Sequence, residues 1–197
     1  LVAKDFISDQ NCCLILGDNI FFGYQFTDML RDAKENLDGA TIFSTFVNNP
    51  SDFGVVELDP DGHIISIDEK PSNPRSNLAI TGLYFYNNSV VDIVESIKPS
   101  ARGELEITDV NKIYFEQNLL KVLQLGRGFA WLDTGTNDSM QAAGDFVSTI
   151  QKRQGLQIAC LEEIAFKNGW IDKEILSNQI KKYINSDYGR YLQKLIV

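Results

Sequence analysis

The stretch that most constrains the fold lies near the start of the chain and reads CCLILGDN, residues 12–19. A continuous apolar run that ends in glycine and aspartate predicts a strand buried on both faces, as in an α/β sheet. Ligands of open α/β sheets bind beyond the carboxyl ends of the strands. The carboxylate and the amide at this strand tip, Asp18 and Asn19, therefore indicate a ligand site.

The rest of the chain supports the same fold class. Strand-like and helix-like segments alternate over residues 1–155, which predicts an α/β domain. Residues 54–58 and 64–68 are expected to pair as a β-hairpin, because Pro and Gly between them favour a turn. Residues 156–197 contain three helix-like runs and no strand. We therefore expect a C-terminal helical appendage that begins at residue 156.

Composition excludes some functions and leaves others open. The 197 residues carry a net charge of −9, which argues against a nucleic-acid-binding surface. A nucleotide substrate stays open, because a glycine loop or a metal ion can hold phosphates on an acidic protein. No apolar run approaches the roughly 20 residues that span a bilayer. Cys12, Cys13 and Cys160 form no CxxC pattern, so we expect three buried thiols in a reducing, cytoplasmic location.

Two aspartates follow apolar runs in similar settings. Asp18 comes after LILG, and Asp133 comes after AWL and before a threonine and a glycine. Carboxylates from separate strands that meet at one edge suit Mg²⁺, which takes one or two carboxylates together with substrate phosphates. The alternative is that each aspartate caps the next helix.

Other polar residues are also candidates. Glu69 could accept hydrogen bonds from sugar hydroxyls and Lys70 could neutralise a phosphate, unless the two form a solvated pair at a strand end. Arg102 precedes a helix and could reach a phosphate, whereas Thr108 could equally be a helix-surface residue. His63, the only histidine, lies in the predicted hairpin turn, so Ser-His and Cys-His schemes lack a partner.

Four long blocks of the sequence resemble a known family. They are LILGDNIFFG, FGVVELDPDGHIISIDEKPSNPRSNLAITGLYFY, RGELEITDVNKIYFE and GRGFAWLDTGTNDSMQAAGDFV. In this order and spacing they resemble the glucose-1-phosphate thymidylyltransferases, a branch of the sugar-nucleotide pyrophosphorylases. The resemblance implies a Rossmann-like nucleotide-diphospho-sugar transferase fold. It also implies the Mg²⁺-dependent reaction of dTTP with α-D-glucose 1-phosphate to dTDP-glucose and pyrophosphate, a step towards dTDP-rhamnose and other deoxysugars.

Matched position by position, the resemblance implies roles for individual residues. Asp18 and Asp133 match the two magnesium ligands, and together with Lys70 they match catalytic positions. The substrate-binding positions that the resemblance implies are Asn19, Gly54, Glu69, Lys70, Ile80, Tyr84, Arg102 and Trp131. The family resemblance also implies a homo-oligomer, a tetramer in related enzymes.

One part of the family pattern is missing from this sequence. Family members begin with a strand and a glycine-rich loop, GGxGTRLxPxT, whose backbone amides hold the triphosphate. We therefore expect this chain to be the part that follows the loop, to have an exposed sheet edge and to be inactive by itself. Two alternatives stay open: a non-catalytic sugar-phosphate-binding module or regulatory subunit, and a pyrophosphorylase that uses UTP.

Overall fold

The structure of the chain is a computed structural model that describes residues 2–100 and 103–196. The chain divides into two compact units, Leu1–Asp133 and Thr134–Val197. The first unit mixes helices and strands, and the described part of the second contains helices and no strand. The α/β fold class is therefore confirmed. The domain boundary expected after residue 155 stays a prediction, and the division into compact units falls earlier in the chain.

The described part of the first unit contains four α-helices, one short 3₁₀ helix (Pro50–Asp52) and eight strands. The helices are α1 (Lys4–Ile7), α2 (Phe26–Glu35), α3 (Val90–Ser96) and α4 (Ile107–Glu116). The strands are β1 (Cys12–Ile15), β2 (Asn19–Phe22), β3 (Ala40–Phe46), β4 (Gly54–Leu58), β5 (Ile64–Glu69), β6 (Leu78–Tyr86), β7 (Leu120–Gln124) and β8 (Ala130–Asp133). The predicted hairpin is β4 and β5, whereas α1 and β2 were not expected.

Six of the strands form one mixed sheet. The order along it is β5-β4-β6-β3-β7, and β1 pairs with β6 beside this path. The β3 and β7 pair is parallel, and the other pairs are antiparallel. The long strand β6 is therefore central, because β1, β3 and β4 all hydrogen-bond to it.

The remaining two strands form a separate antiparallel ribbon. In this ribbon β2 pairs with β8, and Asn19 lies opposite Asp133. The two strand tips that the sequence singled out are thus neighbours through direct pairing, although residues 19 and 133 lie far apart along the chain.

Both faces of the six-stranded sheet are covered, as the alternation of side chains along β6 shows. Tyr84 and Tyr86 point into a cluster that includes residues of α3 and α4. Leu83 and Phe85 point to the opposite face, against residues of α2. Because side chains alternate along a strand, one nine-residue strand supplies both hydrophobic cores.

The strand β1 is more exposed than its sequence predicted. Leu14 is 39% exposed and Ile15 is 55% exposed, so the expectation of a strand buried on both faces is wrong. Within the described residues β1 pairs with β6 alone, and a strand with one neighbour keeps more of its surface in water. The expectation of three buried thiols is also corrected, since Cys160 is buried, Cys12 half-buried and Cys13 exposed.

The second unit contains the long helix α5 and three short helices. Their bounds are α5 (Asn137–Gln154), α6 (Leu161–Lys167), α7 (Lys173–Lys182) and α8 (Asp187–Lys194). Thr136 begins α5 with a capping box and Gly155 ends it in the left-handed conformation, as the sequence predicted for Gly155. Cys160, Leu176 and Leu192 belong to the small core of this unit. In the described part of the chain, no helix is long and apolar enough to cross a membrane.

A buried hydrogen bond in the first unit provides a test of its core. The Tyr86 hydroxyl donates to Asn111 Oδ1 at 2.6 Å, and Asn111 is fully buried. Tyr86→Phe leaves that oxygen without its donor, so we expect a loss of about 1–3 kcal/mol in the free energy of unfolding, measured in urea. Tyr114→Phe is the matched control, because its partner Asn87 is half-buried and can bind water instead. Equal losses in the two variants would contradict this account.

Candidate active site

Most of the residues singled out by the sequence line one cavity in the first unit. The cavity has a volume of about 180 Å³. The predicted site residues that line it are Asn19, Gly54, Glu69, Lys70, Ile80, Tyr84, Trp131 and Asp133. Its remaining lining residues are Leu16, Asp52, Phe53, Gly82, Ile107 and Thr108. Predicted site residues from five separated segments of the sequence thus line the same cavity.

The β2 and β8 ribbon brings the two predicted metal ligands near each other. Asp133 lines the cavity and lies opposite Asn19, the residue that follows Asp18. Asp18 itself is exposed, and its Oδ1 accepts a hydrogen bond from Asn19 Nδ2 at 2.8 Å. Asp133 ends β8 and Asp18 directly precedes β2, so two carboxylate-bearing residues lie beside the same paired position, and carboxylate oxygens are ligands that suit Mg²⁺. The residues present therefore fit a magnesium ion.

Asn19 joins three segments of the site through its side chain. Its Oδ1 accepts a hydrogen bond from Trp131 Nε1 at 2.6 Å and another from the backbone N–H of Gly82 at 3.1 Å. The Trp131 ring packs edge-to-face against Phe53, with 5.0 Å between the ring centroids. The Trp131 indole, which forms a wall of the cavity, is therefore held by a hydrogen bond at its N–H and by ring packing against Phe53.

The sugar-binding candidate Glu69 is held by a residue that the sequence left ambiguous. The hydroxyl of Thr108, in the first turn of α4, donates to Glu69 Oε2. Thr108 is buried, so the helix-surface interpretation of this residue is wrong. Gly54 pairs with Glu69 across β4 and β5, and a Cβ at Gly54 would lie 3.1 Å from Thr108 Oγ1. The missing side chain keeps this part of the cavity open.

Lys70 has an unusual backbone conformation for its residue type. Its φ is 41°, in the left-handed region, and its N–H donates to the carbonyl of Phe53 at 3.1 Å. Such a conformation costs a non-glycine residue on the order of 1 kcal/mol or more, and strained residues cluster at functional sites. This left-handed residue directly follows β5 and belongs to the lining of the cavity.

The cavity collects acidic groups around a single lysine. Asp52, Glu69 and Asp133 line it together with Lys70. Burial, and secondly the Glu69 carboxylate, raise the pKa of the Tyr84 phenol. Tyr84 therefore keeps its proton at neutral pH and acts as an uncharged hydroxyl. A set of carboxylates with one cation suits polyhydroxylated and phosphate-bearing ligands when a metal ion accompanies the phosphates.

Arg102, the remaining candidate for binding the sugar phosphate, lies outside the described residues. A second cluster of polar side chains lies at the turn of the β4–β5 hairpin. Asp59, Asp61 and His63 form a second group with oxygen and nitrogen atoms within 4.8 Å of one another. Asp59 Oδ1 accepts the backbone N–H groups of Asp61 and His63, at 2.9 and 2.8 Å, so this carboxylate organises the hairpin turn.

The sequence did not single out the cavity residues Phe53 and Gly82. Phe53 precedes β4 and Gly82 lies within β6, in segments chosen for other residues. A glycine inside an apolar strand is a sign of close approach by another group. That signal was present at Gly82 in the sequence ITGLYFY.

Comparisons with known proteins agree with the fold. A family model described as nucleotidyl transferase matches residues 1–149. A crystal structure of UDP-glucose pyrophosphorylase with UDP-glucose has a TM-score of 0.64 over 75% of this chain and 60% of its own, at 19% identity, and shows the shared fold. The chain is therefore of the nucleotidyl transferase class.

Curated relatives show to which branch of the nucleotidyl transferases the chain belongs. Glucose-1-phosphate thymidylyltransferases from Neisseria meningitidis and Xanthomonas campestris are 50% and 51% identical over 100% and 99% of this chain. A candidate glucose-1-phosphate thymidylyltransferase from Bacillus anthracis, crystallised with sucrose, is 36% identical over 74% of this chain, with a TM-score of 0.66. The chain belongs to the glucose-1-phosphate thymidylyltransferase family. It spans 68% and 66% of the two curated relatives and 57% of the Bacillus chain.

The contact between Gly82 and Asn19 can be tested through stability. A Cβ at Gly82 would lie 2.6 Å from Asn19 Oδ1 and 2.8 Å from Leu16 Cδ1. We expect Gly82→Ala to lower the free energy of unfolding by about 1–3 kcal/mol, because the neighbours must shift. Gly126→Ala is the matched control in the same unit, since a Cβ there meets nothing within 4 Å. Thermal or urea unfolding measures both, and a stable Gly82→Ala variant would contradict the tight contact.

Proposed function

We propose that this chain forms the sugar-phosphate side of a glucose-1-phosphate thymidylyltransferase. The reaction would join dTTP and α-D-glucose 1-phosphate to give dTDP-glucose and pyrophosphate. The observation that carries the proposal is the meeting of Asn19, Gly54, Glu69 and Asp133 in one cavity of a chain from this family. These residues come from separate blocks of the sequence.

The proposed chemistry is an in-line transfer of a nucleotidyl group. A phosphate oxygen of glucose 1-phosphate attacks the α-phosphorus of dTTP, and the bond from that phosphorus to the bridging oxygen of the β-phosphate breaks. Pyrophosphate leaves with the electron pair of that bond. Positioning and neutralisation of phosphate charge supply most of the rate enhancement in reactions of this kind.

The candidate residues have proposed roles in that reaction, some within the cavity and some beyond its lining. Asp18 and Asp133 would hold Mg²⁺, which neutralises phosphate charge when bound. Glu69, oriented by Thr108, would accept hydrogen bonds from glucose hydroxyls. Lys70 would neutralise the sugar phosphate. Four further positions complete the proposed site: Ile80, Tyr84 and Trp131 as walls, and Arg102 as a second cation for the sugar phosphate.

The wider setting belongs to the proposal as well. We propose a cytoplasmic homo-oligomer that works in dTDP-rhamnose or deoxysugar biosynthesis, as the family resemblance implies. Neither a non-catalytic sugar-phosphate module nor a UTP-dependent enzyme is favoured by a specific observation. The UDP-glucose pyrophosphorylase structure is 19% identical to this chain and shows only the shared fold, so it does not favour uracil over thymine as the nucleotide base.

The test is pyrophosphate release with Mg²⁺, glucose 1-phosphate and either dTTP or UTP. We expect turnover with dTTP from a version extended at its N-terminus by the glycine-rich segment of relatives, and none from the 197 residues alone. Asp133→Asn in the extended version should lower kcat by about 100-fold or more, since it removes a carboxylate proposed to hold the Mg²⁺ that neutralises the phosphates. Asp28→Asn is the matched control, because Asp28 lies on α2 and pairs with Arg31 at 3.0 Å.

Each result of this assay decides a part of the proposal. A preference for UTP over dTTP would overturn the thymidylyl assignment. Full activity of Asp133→Asn would overturn the metal-ligand role. Turnover with dTTP by the 197 residues alone would overturn the expectation that the nucleotide is held by a segment outside them.

A further inference from the structure

We propose that the first unit contains a second ligand site, which binds a compact, uncharged, apolar molecule such as a single aromatic ring. The site is a cavity of about 210 Å³ between α1, β1, β6, α3 and α4, and we call it the apolar cavity. Its walls include Cys12 on β1, Tyr86 on β6, Val90 and Val94 on α3, and Val110 on α4. This inference does not rest on the proposed function.

The chemistry of the lining favours an uncharged ligand. Among the described lining residues, polar side-chain atoms occur on Lys4, Cys12 and Tyr86. Lys4 forms an ion pair with Glu95 on α3, so its charge is already balanced within the protein. The Tyr86 hydroxyl donates to Asn111 Oδ1 at 2.6 Å and is therefore already used. Burial raises the pKa of the Cys12 thiol, so this group stays protonated at neutral pH.

A cavity with such a lining binds apolar molecules better than it binds water. A buried water molecule needs roughly two to four polar partners, and an apolar cavity of about 150 Å³ engineered into another protein binds benzene or xenon. The apolar cavity is larger than that, at about 210 Å³. An aromatic ring that enters it leaves water and gains dispersion contacts with the walls. Size and polarity together therefore point to a neutral ligand of benzene size or somewhat larger.

The exposure of the walls shows where a ligand enters. Tyr86, Val90 and Val110 are buried and form the inner end of the cavity. Lys4 on α1 and Leu14 on β1 are exposed, so the mouth lies between these two elements. The helix α1 is four residues long and contains no buried residue. Because segments with little buried surface open locally at low cost in free energy, α1 can admit a ligand while the sheet stays folded.

The apolar cavity borders the candidate active site, and this decides which residues can test it. Ile107 lines both cavities. Tyr86 stacks on Tyr84, a wall of the candidate active site, with 5.9 Å between the ring centroids and 7° between the ring planes. Substitutions at these three residues would therefore disturb both sites. Val94 and Cys12 line the apolar cavity alone, so they are the positions to change.

The first test is the melting temperature of the 197-residue chain with and without toluene, a neutral probe one methyl group larger than benzene. We expect a rise of about 2–4 °C at toluene concentrations several-fold above its dissociation constant, because a ligand of the folded state stabilises that state. Val94→Phe fills the cavity and should abolish the rise. Val47→Phe is the matched control, because Val47 is also half-buried but is not a lining residue. No rise in the parent, or an equal rise in Val94→Phe, would overturn the inference.

Cysteine labelling provides a second test, because β1 carries two adjacent thiols in different surroundings. Cys12 lines the cavity, whereas Cys13 is exposed and is not a lining residue. In a Cys13→Ser chain, toluene at about ten times its dissociation constant should slow alkylation of Cys12 by N-ethylmaleimide about tenfold. In the matched Cys12→Ser chain, the rate at Cys13 should not change. Peptide mass spectrometry measures both rates, and equal rates at Cys12 with and without toluene would overturn the inference.

The same two measurements on the N-terminally extended version separate an external ligand from a segment of the protein itself. We expect toluene to protect Cys12 there as well. If the added segment fills the cavity, Cys12 is protected without toluene and the melting temperature does not respond to it, which would overturn the inference. Neither measurement uses turnover. A protein without thymidylyltransferase activity would therefore overturn the proposed function, and the toluene measurements would still decide this inference.

Discussion

The pairing of β2 with β8 is the interaction on which the candidate site depends. It puts Asn19 opposite Asp133, and so brings two segments more than a hundred residues apart into one small ribbon. Without it, Asp18 and Asp133 would be two unrelated acids that follow apolar runs. The ribbon lies outside the six-stranded sheet, so the sheet supplies the cores and the ribbon supplies the acidic edge of the cavity. The pairing of the two strands thus brings the site residues together, and their side chains complete the site.

Two glycines show how the cavity is shaped by absent side chains. At Gly54 a Cβ would approach Glu69 Oε2 to 3.2 Å, and at Gly82 it would approach Asn19 Oδ1 to 2.6 Å. Gly54 therefore leaves room beside a carboxylate that a ligand can reach, whereas Gly82 lets an internal hydrogen bond form. Neither glycine has a positive φ. Both glycines matter because they leave space and let other groups come close to the backbone. A larger residue at either position would fill that space.

The sequence predicted correctly those features of the fold that depend on a few neighbouring residues, such as turns and helix ends. The hairpin around Pro60 and Gly62 and the end of α5 at Gly155 depend on turn and cap residues that are visible in the sequence. Burial of β1 was predicted wrongly, because it depends on which neighbours a strand has and not on the strand alone. Thr108 stayed ambiguous for the same reason. Its position in the first turn of α4 is readable, but the direction in which that turn faces is set by packing against β5.

The choice of an amide at residue 19 follows from the charges around it. Asp18 is the preceding residue, and Asp133, Glu69 and Asp52 line the adjoining cavity. A carboxylate at position 19 could accept from Trp131 and Gly82 equally well, but its other oxygen would face Asp18 and repel it. Asparagine has the same shape and presents an N–H to that neighbour instead. The asparagine therefore adds no further negative charge at an edge where several carboxylates already lie close to one another.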